Sequence, residues 1–78
     1  MIDSGINWEK NNQWINGYAS NNGRRIYAIK TPLLDSPPSD CPYELYNEYT
    51  DLIGKFRHPW YAEMAAQGLY HWRLTNEY

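Results

Sequence analysis

Residues 41–59, "CPYELYNEYTDLIGKFRHP", decide how this chain is read. At the α-helical period, Leu45, Tyr49, Leu52 and Phe56 fall within roughly 60° of one another, flanked by Ile53 and Tyr46. Start signals precede that stripe. Ser39, Asp40 or Cys41 offers a cap, Pro42 sits in the first turn where its missing N–H costs nothing, and Glu44 lies near the positive end of the dipole. The stretch therefore predicts a helix over 42–57, weakened at Gly54 and ended by His58-Pro59. On that helix Tyr49 belongs to the core, Tyr46 to its boundary, and Tyr43 to the exposed side, beside Asp40, Glu44, Asn47, Glu48 and Asp51.

Beyond it, Pro59 starts a second helix over 59–67, with Trp60, Tyr61, Met64 and Ala65 able to form one face and Gly68 as the stop. "LYHWRLT" then alternates, Tyr70, Trp72 and Leu74 against His71, Arg73 and Thr75, which predicts a strand over 69–75. Continuation of the second helix through Trp72 competes with that reading.

Toward the N-terminus, "TPLLDSPPSDCP" holds four of the five prolines and reads as a stiff connection over 32–41. Before it, residues 13–31 read as a β-hairpin around Asn22-Gly23, the dipeptide best suited to positive φ at both positions of a two-residue turn. That turn would set Tyr18 opposite Tyr27 and Trp14 opposite Thr31. Trp14, Asn16, Tyr18, Arg25, Tyr27 and Ile29 would then share one face, and Ile15, Gly17, Ala19, Ile26, Ala28 and Lys30 the other. Either face could be the buried one. Residues 1–12 show no period and read as an irregular arm. The expected architecture is α+β: a small three-stranded, mainly antiparallel sheet (N-terminal hairpin plus C-terminal strand) with two helices on one face, in the order β-β-α-α-β.

Seventy-eight residues suit a single small domain, 1–78, burying only about 60–65% of the surface its unfolded chain exposes. Valine is absent, while four tryptophans and eight tyrosines must supply much of the core. Each brings a large apolar body and a polar tip that needs a partner. The lone Cys41 forms no internal disulfide and no secretory leader opens the chain, so a cytoplasmic setting is expected. No apolar run approaches the length of a membrane span, and no membrane association is expected.

Net charge is −2, too small to dictate a partner, but residues 35–52 carry Asp35, Asp40, Glu44, Glu48 and Asp51 with no basic residue. On a helix, Glu44, Glu48 and Asp51 at i, i+4 and i+7 would form an acidic stripe. Such a stripe is often just a solvated face. Like charges at that spacing destabilise a helix by about 0.2–0.5 kcal/mol per pair, so a docking role is also considered.

Candidate chemistry is sparse. Cys41, His58 and His71 have no paired spacing of the kind zinc requires, so no metal, cofactor or catalytic residue is expected. "NNGRR" lacks the glycine spacing and Lys-Ser/Thr pair of a phosphate loop. Two binding surfaces remain. One is the acidic helix face, Tyr43, Glu44, Asn47, Glu48 and Asp51, suited to a larger protein with a basic surface. The other is the hairpin's aromatic and Arg face, Trp14, Tyr18, Arg24, Arg25 and Tyr27, suited to nucleic acid or a small ligand. The first leads: a non-catalytic protein-binding module that inhibits or modulates a larger partner, in the manner of phage or mobile-element proteins that block host defence or nucleic-acid-handling complexes.

Overall fold

Five strands and one helix make up the computed structural model, which describes residues 5–33 and 39–76. They run β1 (Ile6–Asn11), β2 (Trp14–Ala19), β3 (Arg25–Lys30), β4 (Tyr43–Asn47), β5 (Leu52–Phe56) and α1 (Pro59–Asn76). The strands pair in sequence order, all antiparallel, as a meander. The expected order β-β-α-α-β is thus corrected to β-β-β-β-β-α, a five-stranded sheet with one helix across one face.

The largest correction falls on 42–57, where the expected helix is instead the β4–β5 hairpin. A helical period and a strand period coexist there. Tyr43, Leu45 and Asn47 alternate with Glu44 and Tyr46, and the turn chemistry chooses between them. The Asn47 side-chain carbonyl accepts from the backbone N–H of Tyr49 (2.9 Å) and of Asp51 (3.0 Å). The N–H of Thr50 also donates to the Asn47 backbone carbonyl at 3.1 Å, and Thr50 takes φ 63°. This is a three-residue hairpin loop, Glu48–Tyr49–Thr50, with its left-handed third position occupied by threonine instead of the usual glycine. Ile53 is the extra residue of a β-bulge, since Leu45 pairs with Gly54 but Tyr46 with Leu52.

The expected helix 59–67 and strand 69–75 are one continuous helix. Pro59 is its first residue, as read, but Gly68 lies inside it instead of ending it. Ala62, Ala66 and Tyr70 recur at four-residue spacing and all are buried, a helical stripe that outweighs the short alternation after Gly68. The expected arm 1–12 also changes: 6–11 form β1, joined to β2 through a two-residue turn with Asn12 at φ 55°. Of the expected connection 32–41, residues 34–38 lie outside the described residues.

Residues 14–30 do pair as an antiparallel hairpin, but in a different register. Gly17 faces Tyr27 and Tyr18 faces Arg25, leaving Ile26 as a bulge, and Trp14 faces Lys30. The turn is longer than two residues: Ala19 N–H donates to Arg24 O at 2.8 Å, with Gly23 at φ 69°. One residue of slip reverses the facing of a strand. Tyr27 and Ile29 therefore turn toward α1, while Ala28 and Lys30 join Trp14 and Asn16 on the uncovered face.

The core lies between α1 and β3–β5. Tyr27, Ile29 and Leu45 are almost fully enclosed with Ala19, Ala62 and Ala66, and Ile6, Trp8, Ile15, Tyr43 and Phe56 pack around them. Alanines on the inner face let the helix lie close to the sheet. Gly17 performs the same service for β1: a Cβ there would stand 2.7 Å from the Trp8 ring and 2.9 Å from Ile6. Arg73 ties the helix down, its guanidinium donating to Glu48 at 2.9 Å.

Candidate functional site

The acidic surface expected on a helix is dispersed by the hairpin. Tyr43 points to the helix side and packs against the core instead of standing exposed. Glu44 is on the opposite side, accepting from the Tyr46 hydroxyl at 2.9 Å and lying 3.8 Å from Lys55. That hydrogen bond, then burial, raises the Tyr46 phenol above its ordinary pKa. Asn47 caps the loop, Glu48 pairs with Arg73, and Asp51 is exposed beside the turn. Tyr49, expected in the core, is 72% exposed, and Leu52 is 49% exposed. Glu44 and Glu48 are thus neutralised by partners within the fold.

Two surfaces stand out. The first is the outward side of α1. Every described residue of the helix that is exposed is uncharged, with Trp60, Tyr61, Met64, Leu69 and Trp72 each at least 40% exposed. The charged residues of the helix, Glu63 and Arg73, are half-buried. This inverts the usual arrangement, in which a surface helix turns apolar residues inward and charges outward. Burial raises the Glu63 carboxyl above its ordinary pKa. At the N-terminal end, His58 stacks on Trp60 with ring centroids 4.2 Å apart and planes 4° from parallel, and Tyr61 completes the group. At the other end, a depression of about 470 Å³ runs between helix and β4–β5 turn, lined by Tyr49, Ile53, Leu69 and Trp72 with the Glu48–Arg73 pair at its wall. The sequence groups Trp60, Tyr61 and Met64 on one helix face, but the strand expected over 69–75 sets Trp72 beside Tyr70 and Leu74, so Leu69 and Trp72 are not joined to that face.

The second surface is the sheet face that α1 leaves bare. Trp14 and Tyr46 meet across β3 with centroids 5.9 Å apart and planes at 56°. They approach over Ala28, whose lone methyl keeps the floor between them low. A depression of about 530 Å³ results, rimmed by Asn11, Asn12, Asn16, Asn47, Arg25 and Lys30. Of the expected ligand face, Trp14, Tyr18 and Arg25 do share this side of the sheet. Arg24 lies in the loop, and Tyr27 is buried on the opposite side, its phenol raised above its ordinary pKa chiefly by burial. Tyr46 was hidden from sequence reasoning because its strand was read as a helix.

Among the described residues no cluster of His, Cys, Asp and Glu could hold a metal ion, and Cys41 is exposed. Among the described residues no helix is long and apolar enough to cross a membrane. No family model, curated protein sequence or solved structure matches the chain.

Proposed function

We propose that this chain is a non-catalytic protein-binding module that inhibits or modulates a larger protein by covering part of its surface with the outward side of α1. One observation carries the reading: an exposed helical face built of Trp60, Tyr61, Met64, Leu69 and Trp72 without a charged side chain. Tryptophan and tyrosine are the residue types that dominate binding energy at protein interfaces, and methionine adapts to irregular partners. Gly68 lies between Met64 and Trp72 on that side with nothing within 4 Å of its Cβ position, so a partner's side chain has a notch to enter. Asp51 and Tyr49 extend the surface onto the β4–β5 turn, and a basic rim on the partner would suit Asp51. Glu44 and Glu48, already paired internally, add little steering.

The test compares a Trp60→Ala/Met64→Ala variant with a Trp14→Ala control in affinity capture from the natural host, with sedimentation velocity on each. A partner retained by the wild type and the control but lost by the helix variant supports the reading. Equal recovery by all three overturns it, as does a wild type that self-associates through this face, since a second copy would then be the covering surface.

A further inference from the structure

We propose that the bare sheet face binds a short stretch of single-stranded nucleic acid, with a base stacked on Trp14 and separate phosphates along the strand taken by Arg25 and Lys30. This goes beyond the protein-binding role, because it uses the side of the sheet opposite α1.

Three features of the depression point to that ligand. Trp14 and Tyr46 present aromatic surface that is half-exposed, held by their mutual contact. Aromatic platforms on open sheet faces suit unpaired bases, because every base has a π face. Asn11, Asn12 and Asn16 offer carboxamides around the rings, groups that both donate to and accept from base edges.

Charge complementarity decides the class. Arg25 and Lys30 line the depression, and no carboxylate does. Among the described residues neither cation pairs with a carboxylate. Glu9 and Glu44 share the sheet face by register, but both lie outside the depression, and Glu44 is held by Lys55 and the Tyr46 hydroxyl. A neutral sugar would leave both cations unused. Arg25 and Lys30 also stand at opposite ends of β3, five residues apart, or roughly 16 Å along a strand. A single phosphate cannot bridge that distance, so a strand with several phosphates fits where a mononucleotide does not.

Fluorescence anisotropy of labelled ten-residue oligouridylate, oligoadenylate and oligothymidylate between 50 and 200 mM salt tests the proposal. The wild type should bind, with mononucleotides competing weakly. Trp14→Ala should lose about ten-fold in affinity or more, and Trp14→Phe should recover part of it. Arg25→Ala/Lys30→Ala should flatten the plot of log affinity against log salt by about 1.4, or 0.7 for each phosphate contact. The Arg25→Ala/Lys30→Ala pair changes only surface side chains, so the test stands even if Trp14→Ala fails to fold. Trp60→Ala/Met64→Ala should leave binding unchanged. No binding at 50 mM salt, a salt slope unaltered by the double variant, or equal competition by a sulfated or neutral oligosaccharide would overturn the proposal.

Discussion

Thr50 and Gly17 show how single residues shape this sheet. Thr50 occupies a left-handed conformation, φ 63°, that a β-branched side chain adopts at a penalty of about 1–2 kcal/mol. Thr50→Gly should therefore stabilise the protein by roughly 1 kcal/mol, read as a shift in the urea midpoint without a change in slope. A lower midpoint would mean that the hairpin is not closed as described. Gly17 works in the other direction. With the Trp8 ring lying 2.7 Å from any added Cβ, Gly17→Ala should displace that ring and destabilise by about 1–3 kcal/mol. Neither position announces itself in the sequence. Threonine is a poor marker of positive φ, and the tight fit at Gly17 depends on a strand, β1, that shows no period because Asn7, Glu9 and Lys10 are exposed along it.

At the scale of elements, the segments read correctly were those whose local chemistry admitted one answer. Pro59 opens α1, and an antiparallel hairpin occupies 14–30. Trp14, Tyr18 and Arg25 consequently fall on one side as read. The misreadings came from segments that satisfy two periods. Leu45, Leu52 and Phe56 fit a helical stripe, yet Leu45, Gly54 and Phe56 also fit the inward side of a hairpin. Asn47 settles the matter through two backbone hydrogen bonds that no periodicity reveals. The bulge at Ile26 is equally silent, and it alone moves Tyr27 from the expected ligand face to the core.

Three expectations belong to α1. Gly68→Ala should raise stability by about 0.5–1 kcal/mol, because the helix gains propensity and the new methyl meets nothing; the same change should weaken partner capture if Gly68 is the notch. Arg73→Ala should cost roughly 2 kcal/mol, since it strands Glu48, whose side chain is only 13% exposed. Little change on thermal melting would show that the ion pair is not formed in solution. Burial raises the folded Glu63 carboxyl above its ordinary pKa. Its contribution to stability is therefore fully present below the unfolded value and lost as pH rises through the folded one. Glu63→Gln should stabilise at pH 7, with the advantage vanishing below about pH 4; a constant difference across that range would contradict the assignment.

For the whole molecule, the sheet is covered unevenly. Its dimensions, 44 × 21 × 20 Å, reflect a meander in which α1 packs on β3, β4 and β5, while β1 is held mainly through β2 and the side chains of Ile6 and Trp8. Both edges of the sheet resist pairing with other sheets: β1 carries the exposed charges of Glu9 and Lys10, and β5 carries Lys55 and the bulge at Ile53. Uneven cover means uneven stability, because strands with few buried contacts open without global unfolding. Amide hydrogen exchange should accordingly show β1 exchanging fastest among the strands. Tyr27, Ile29 and Leu45 should be slowest, exchanging together with Ala62 and Ala66 of α1 at the free energy of global unfolding. Trp8→Ala should speed exchange in β1 at least ten-fold and leave the slowest amides moved only by the change in global stability. If β1 were as protected as β3, the two ends of the sheet would be one cooperative unit, and the bare face beside β1 and β2 would be far more rigid than its cover implies.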